Sequence, residues 1–231
     1  ETGVYIYNLR TEKYTHLRSS EYDPYSLSDN AIYSFCKDRE DGIWIGSYFG
    51  GVNYYPRSYT NFEKYYPKGT ENSLHGKRVR EFCRDNHGVL WIGTEDGGLN
   101  RFNLNTKEFS FFAPSAGFTN IHGLCLVDDN LWVGTFSKGL KIIDTRTGNI
   151  LKTYQKNNSP RSLIDNSIFA ISKTATGDIY LGTMFGLVRY NKQSDDFDRI
   201  PELNGKFVYD IKEDSDGNIW LATYANGAYC Y

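Results

Sequence analysis

The stretch DNHGVLWIGTEDGGLNRFN, residues 85–103, contains a polar turn, a Trp-Ile strand, a glycine pair and a second strand. A catalytic or binding site normally occurs once in a chain, whereas part of a repeating sheet recurs at a fixed spacing. Similar stretches stand at residues 39–55, 127–144, 175–191 and 214–231. The stretch is therefore one copy of a repeated structural unit.

The spacing and composition of the repeat favour propeller blades. Four-stranded blades and some helical repeats share a period near that of this chain. Each unit is rich in Val, Ile, Tyr, Phe and Trp and has no lasting apolar stripe of helical period, which favours short antiparallel strands. We therefore predict an all-β fold, a β-propeller built of four-stranded blades. The central aromatic residues are Trp44, Trp91, Trp132, Tyr180 and Trp220, at intervals of 47, 41, 48 and 40 residues.

One unit divides into four predicted strands. They cover residues 78–85, innermost in the blade, then 89–95, 98–104 and 108–114, outermost. The second strand is apolar at successive positions because neighbouring blades cover both of its faces. A small residue follows each central aromatic by two positions, and we interpret it as a packing requirement between neighbouring strands. These small residues are Gly46, Gly93, Gly134, Gly182 and Ala222.

The blades are expected to follow the repeat along the whole chain, which forms a single propeller segment. The ends of the sequence begin and stop within a blade, and about five blades are present, so we expect part of a seven-bladed ring; a closed five-bladed ring is the alternative. The expected boundaries are a partial blade at 1–25, blades at about 26–72, 73–118, 119–161 and 162–203, and an incomplete blade at 204–231.

Three copies of a longer pattern resemble a known family. SLSDNAIYSFCKDREDGIWIGS (26–47), SLHGKRVREFCRDNHGVLWIGT (73–94) and SLIDNSIFAISKTATGDIYLGT (162–183) are similar to two-component regulator propeller repeats. Such repeats are typical of the periplasmic sensor regions of hybrid two-component histidine kinases in Bacteroides-type bacteria. The resemblance implies a periplasmic location, as the extracytoplasmic part of an inner-membrane protein, a homodimer in the full-length protein, and a kinase core elsewhere in it. It also implies recognition of oligosaccharides released during glycan breakdown.

Composition excludes some classes of partner. Lys plus Arg is 26 and Asp plus Glu is 28, so the formal charge of −2 argues against a nucleic-acid partner, which normally requires a basic surface. No apolar run reaches about 18 residues, so we expect no membrane contact by this segment. No Cys or His spacing indicates zinc, and we expect no metal and no cofactor. We expect the four cysteines to be buried free thiols, because equivalent positions of adjacent blades lie too far apart for a disulfide.

An enzyme is the first alternative. Many propellers are hydrolases or lyases, and DSDGNIW (214–220) resembles the Asp-box turn of sialidases. Asp, Asn and Gly recur at this turn throughout the repeats, however, which favours a structural role through bonds to the local backbone. A glycosidase needs a unique pair of carboxylates at a common opening, and the sequence offers no such pair. We therefore expect no catalytic residues; a purely structural or protein-binding propeller is the second alternative.

Candidate ligand-binding residues lie where the blades differ. The loops between second and third strands place aromatic rings at the channel opening, where they can stack against a sugar or pack on neighbouring loops. The stretch HGKRVR (75–80) adds guanidinium groups that bind carboxylate or sulfate in a bidentate manner, and a histidine starts a later innermost strand. The predicted residues are Tyr48, Phe49, Arg78, Arg80, His122, Phe136, Phe185 and Tyr224.

Overall fold

The structure is a computed structural model that describes residues 2–57, 63–112 and 118–231. The regular elements of these residues are antiparallel β-strands and a short 3-10 helix over Pro201–Leu203. The chain divides into two compact units, Glu1–Thr70 and Glu71–Tyr231. The prediction of an all-β fold made of blade-like sheets is confirmed.

The first unit contains a two-stranded and a three-stranded sheet. Strands β1 (Val4–Asn8) and β2 (Lys13–Leu17) pair with each other, and β3 (Ile32–Lys37), β4 (Ile43–Ser47) and β5 (Val52–Tyr55) follow as a meander. A small core of buried apolar side chains holds this unit together. Its buried members are Val4, Leu27 and Ile45.

The second unit contains four sheets, in which each strand pairs with the next one in sequence. Three of these sheets have four strands and the last has three. The first consists of β6 (Val79–Arg84), β7 (Val89–Thr94), β8 (Gly98–Asn103) and β9 (Phe109–Phe111), and the second of β10 (Ile121–Val127), β11 (Asn130–Thr135), β12 (Leu140–Asp144) and β13 (Ile150–Tyr154). The third consists of β14 (Ile168–Lys173), β15 (Ile179–Thr183), β16 (Gly186–Asn191) and β17 (Asp196–Arg199), and the fourth of β18 (Val208–Glu213), β19 (Ile219–Thr223) and β20 (Gly227–Cys230).

The strands predicted within residues 78–114 agree closely with β6 to β9. Their bounds differ by a residue or two at the ends, where ladder bonds give way to turns. The last two predicted positions, 113–114, lie outside the described residues. The pattern of alternating strands and polar turns was therefore sufficient to find each strand of this sheet.

The first strands of the four sheets lie side by side, because β6 contacts β10, β10 contacts β14, and β14 contacts β18. Apolar clusters fill the spaces between successive sheets. Trp91, Trp132 and Tyr180 belong to these clusters and are at most 7% exposed, whereas Trp220 of the fourth sheet is 48% exposed. The repeated aromatic residue is therefore buried where a following sheet covers it.

The glycines of the second strands receive the side chain that begins the next sheet. A Cβ atom on Gly134 would lie 2.7 Å from Cγ2 of Ile168. A Cβ atom on Gly93 would similarly collide with Ile121, and one on Gly182 with Val208. These side chains are fully buried, so an added methyl group has no space. The interpretation of Gly93, Gly134 and Gly182 as packing glycines is confirmed. The fourth sheet has Ala222 at this position, and Ala222 is exposed.

The aspartates of the turns after the first strands bind the local backbone. Asp85 Oδ1 accepts hydrogen bonds from the backbone N–H groups of His87 and Val89. Asp214 Oδ1 accepts the equivalent bonds from Asp216 and Asn218. Because each carboxylate satisfies backbone donors of its own turn, the Asp-box-like sequence has the structural role that we predicted.

The prediction that all four cysteines are buried is wrong. The thiols are free, but Cys36 and Cys230 are exposed and Cys83 and Cys125 are half-buried. Cys83 and Cys125 lie among apolar side chains between sheets, and burial raises the pKa of the Cys83 thiol to about 11 and raises that of Cys125. Cys230 belongs to the fourth sheet, whose Trp220 is also exposed.

Candidate functional site

A β-bulge occurs at the same point of every first strand. The pairing with the second strand shifts by one residue between Ile32 and Ser34, and the other first strands shift at the corresponding position. The residue skipped by the ladder has its side chain redirected, as is common beside binding sites. The skipped residues are Tyr33 in the first unit and Arg80, His122, Phe169 and Tyr209 in the second.

Two of these residues join the first and last sheets of the second unit. The guanidinium carbon of Arg80 lies 4.6 Å from the ring centroid of Tyr209, and Nη1 of Arg80 donates a 2.5 Å hydrogen bond to the Tyr209 hydroxyl. The same Nη1 lies 3.8 Å from a carboxylate oxygen of Glu95. Because the residues lie at the bulges of β6 and β18, their contact links the first and the last of the four first strands.

Aromatic rings connect the other bulge residues. The ring centroid of Phe169 lies 4.6 Å from that of His122, 4.4 Å from that of Phe207 and 5.7 Å from that of Tyr209. Loop residues Phe136 and Tyr224 extend the group through ring contacts with His122 and Phe207 at 6.0 Å and 5.7 Å. We call this group the bulge cluster; its members are Arg80, His122, Phe136, Phe169, Phe207, Tyr209 and Tyr224.

The bulge cluster combines exposed ring surface with unsatisfied polar atoms. Phe136, Tyr209 and Tyr224 are exposed, whereas His122 and Phe169 are buried. Within the described residues, His122 Nδ1 and Arg80 Nε are buried without a hydrogen-bond partner. Burial, followed by the nearby positive charge of Arg80, lowers the pKa of His122, so its imidazole is neutral at neutral pH. Such atoms can bind the hydroxyl or carboxylate oxygens of a ligand.

The cluster contains four of the eight predicted ligand-binding residues: Arg80, His122, Phe136 and Tyr224. Phe185 lies in the β15–β16 turn of the same unit and is exposed. Arg78 is also exposed, and its backbone N–H donates to Asp96. Tyr48 and Phe49 lie in the first unit, where Tyr48 contacts Phe49 and the bulge residue Tyr33 at centroid distances of 4.3 Å and 5.0 Å.

Sequence reasoning missed Phe169, Phe207 and Tyr209. A signal for two of them was present, because Phe169 and Tyr209 have the same repeat phase as Arg80 and His122. Phe207 precedes β18 by one residue, and the other repeats have no aromatic residue at the equivalent position. The repeat phase shows only that these residues are equivalent, and the bulge that brings them together leaves no mark in the sequence.

Sequence reasoning also missed a pair of interacting carboxylates. Glu81 follows the bulge of β6 and Asp210 follows the bulge of β18. Burial, followed by the negative charge of Asp210, raises the pKa of Glu81 to about 7, although Lys212 and Arg80 act in the opposite direction. The two residues lie far apart in sequence and occur at different repeats, so no local motif joins them.

Metal-binding clusters and membrane-spanning helices are both absent from the described residues. Among them, no group of three or more His, Cys, Asp and Glu side chains is arranged to hold a metal ion. No helix in the described ranges has the length and apolar character needed to cross a bilayer.

A curated relative is a histidine kinase, P4, of Formosa agariphila. The two sequences are 32% identical over 112 residues, which covers 43% of this chain and 8% of the kinase. The chain thus spans a small part of this relative.

Solved propellers share the fold. An extracellular domain described as part of a hybrid two-component system of B. thetaiotaomicron has a TM-score of 0.55 and 24% identity, covering 89% of this chain and 29% of that one. PorZ, a surface component of the type-IX secretion system of Porphyromonas gingivalis, has a TM-score of 0.57 and 17% identity, covering 87% of this chain and 32% of its own. Likeness of this degree shows the fold alone.

The family described as "Two component regulator propeller" matches the chain at three places. The matched residues are 26–49, 73–96 and 202–225. Each match contains a complete first strand, the polar turn and the complete second strand: β3 and β4 in the first, β6 and β7 in the second, and β18 and β19 in the third. Three stretches of the chain therefore match two-component regulator propeller repeats.

Proposed function

We propose that this chain is a ligand-sensing propeller segment on the periplasmic side of a hybrid two-component sensor, and that its bulge cluster binds a saccharide released by glycan breakdown. One observation carries the proposal: bulges at the same register direct Arg80, His122, Phe169 and Tyr209 into one cluster. The histidine kinase relative and the extracellular propeller of similar fold support the sensor assignment.

The chemistry of the cluster favours a saccharide. The exposed faces of Phe136, Tyr209 and Tyr224 suit the apolar face of a sugar ring. The unpartnered Nδ1 of His122 and Nε of Arg80 offer hydrogen bonds to its polar groups. Arg80 also retains donors that can bind a carboxylate or sulfate, so acidic saccharides should bind more tightly than neutral ones.

Signalling requires that the ligand distinguishes two arrangements of the protein. We propose that the full-length sensor is a homodimer and that the saccharide has a higher affinity for one arrangement of the two protomers than for the other. A ligand with equal affinity for both arrangements would shift no equilibrium. The contact between Arg80 and Tyr209 is a suitable point of coupling because a ligand that binds Arg80 competes with it.

Titration calorimetry of the purified chain with matched neutral and uronic-acid oligosaccharides tests the site. Tyr224→Ala and Phe136→Ala should each weaken binding by about three- to tenfold, since stacking contacts contribute roughly 0.5–1.5 kcal/mol. Tyr14→Ala removes a comparably exposed ring from the first unit and should leave the affinity unchanged. Unchanged affinity in both cluster variants, with intact circular dichroism, would place binding elsewhere.

The interacting carboxylates justify one competing function, a glycan-active enzyme. A carboxylic acid with a raised pKa beside a second carboxylate is the arrangement of a general acid in glycosidases. Incubation of the chain with the same oligosaccharides, followed by chromatography of the products, distinguishes the two functions. Saturable binding without turnover supports the sensor, whereas turnover that is lost in Glu81→Gln supports the enzyme.

A further inference from the structure

A groove lies between the second and third sheets of the second unit, away from the bulge cluster. It is lined by the β10–β11, β14–β15 and β16–β17 turns and by β13, with a volume of about 690 Å³. In an antiparallel meander these turns lie at the opposite strand ends from the β11–β12 turn that contains Phe136. The groove is therefore separate from the proposed saccharide site, and it has the size of a small-molecule pocket.

The wall of the groove is aromatic and held in place. The hydroxyl groups of Tyr154 and Tyr190 both donate to Asp195 Oδ1, and Lys152 Nζ lies 2.5 Å from Asp195 Oδ2. Lys152, followed by the two tyrosines, holds the pKa of Asp195 at about 2, so its negative charge is matched by fixed donors. Trp132 packs edge-on against Tyr190 at a centroid distance of 4.9 Å. The aromatic rings of Tyr154, Tyr190 and Trp132 are therefore preorganised for ligand binding.

Two of the acidic side chains that line the groove accept contacts from nearby protein donors. Asp198 forms an ion pair with Arg161 Nη1 at 2.9 Å and accepts a 3.1 Å hydrogen bond from the side chain of Asn191. Asp178 accepts a 3.0 Å hydrogen bond from the Thr176 hydroxyl. Asp198 therefore has little capacity left to attract a cationic ligand, whereas Asp128 is more exposed and lies 3.5 Å from Lys173.

Of the four basic side chains that line the groove, Lys152 is paired with Asp195, whereas the other three have weaker acidic partners or none among the described residues. Arg189 interacts with the Tyr180 hydroxyl, but its Nη2 reaches the carboxylate of Asp198 only at 3.8 Å, and Lys173 reaches Asp128 at 3.5 Å. Lys192 makes no hydrogen bond or ion pair through its ammonium group with the residues that the structure describes. The groove thus joins apolar and aromatic walls to three cations whose carboxylate partners are distant or absent among the described residues.

We propose that this groove binds an organic anion in which an apolar ring system carries a carboxylate, with the ring against Tyr190 and Leu151 and the carboxylate near Lys192 and Arg189. Leu151 is 51% exposed in the groove and would be covered by the ring. The inference does not rest on the proposed function, because the two sites share no residue.

A pair of probes that differ in charge and hardly in shape tests the proposal. We expect 2-naphthylacetate to bind at least about tenfold more tightly than neutral 2-naphthylacetamide in titration calorimetry, because hydrogen bonds between charged groups are stronger than those to a neutral amide. Amide NMR shifts should change within β13 and the β16–β17 turn. Equal affinity of the two probes, or no saturable binding of either, would overturn the proposal.

Substitution of Lys192 localises the charge effect. Lys192→Gln should weaken 2-naphthylacetate binding by about three- to tenfold and leave the amide probe unaffected, whereas Lys192→Arg should retain most of the affinity. Lys156→Gln is the matched control, since Lys156 is exposed and lies outside the groove. A loss of the same size in Lys156→Gln would mean that the effect is general electrostatics and would contradict the assignment.

Discussion

The indole nitrogen of Trp91 donates a 2.9 Å hydrogen bond to Oδ2 of Asp85, and both side chains are buried. The same bond joins Trp220 to Asp214 at 2.7 Å and Trp44 to Asp38 at 3.0 Å. Since Oδ1 of each aspartate binds the turn backbone, one carboxylate ties the turn to the second strand. The recurrence of Asp six residues before Trp therefore has a direct structural cause.

Trp91→Phe should lower the free energy of unfolding by about 2–4 kcal/mol, because it creates a cavity and leaves a buried carboxylate oxygen without its donor. Trp220→Phe removes the same bond at an exposed position and should cost less than about 1 kcal/mol. Urea denaturation followed by circular dichroism compares them. Equal losses would show that burial does not determine the strength of this contact.

Gly134→Ala should destabilise the second unit by about 1–3 kcal/mol, because the new methyl group collides with Ile168. In a protein that already carries Ile168→Ala, the same change should cost at least about 1 kcal/mol less, since the colliding Cγ2 is gone. Thermal and urea unfolding of the two single variants and the double variant complete the cycle. Strict additivity would contradict a direct collision.

Glu81→Gln should stabilise the protein at pH 8. The pKa of Glu81 is raised in the folded state, so its favourable contribution is complete below the unfolded pKa near 4.5 and is lost as pH rises through about 7. Because the carboxyl is partly solvated, we expect a gain of about 1–2 kcal/mol at pH 8 and almost none at pH 4.

The matched control for this pH profile is Glu202→Gln, at an exposed position of the 3-10 helix. Urea midpoints measured from pH 4 to pH 8 should leave the control parallel to the unsubstituted protein. A Glu81→Gln profile that is also parallel would show that ionisation of Glu81 does not destabilise the folded protein.

Thiol labelling should separate the cysteines into two classes. Cys36 and Cys230 are exposed and should react rapidly with a disulfide reagent at pH 8, whereas the raised pKa values of Cys83 and Cys125 leave little thiolate at that pH. Mass spectrometry of the labelled protein should find two fast sites. Rapid labelling of Cys83 would contradict its placement between sheets.

The strands and the packing glycines were predictable because they follow from local pattern. Apolar runs bounded by Asp, Asn and Gly gave β6 to β9 nearly residue by residue, and repeat phase alone identified Gly93, Gly134 and Gly182. The burial of cysteine was wrongly predicted from the average behaviour of that residue type. Exposure of Cys230 depends on whether a sheet covers its face, which a strand's own sequence does not encode.

The candidate site was only partly predictable. Arg80 and His122 were selected as unusual residues, but a bulge leaves no compositional mark, so its shared position on each first strand was not seen. The coupling of Glu81 with Asp210 depends on two sheets meeting in space. Sequence pattern therefore located the scaffold, whereas contacts between distant repeats required coordinates.

The skipped residue of each first strand has no ladder partner on the second strand, so strand pairing does not restrict which side chain stands there. Residues on either side maintain the ladder, and the one before the bulge fills the space above a glycine, as Ile168 does above Gly134. Tyr, Arg, His, Phe and Tyr occupy the skipped position in successive repeats, while the flanking positions stay aliphatic or small more often. Substitution at this one position of each blade can therefore change the binding specificity while the strand pairing that forms the fold is kept.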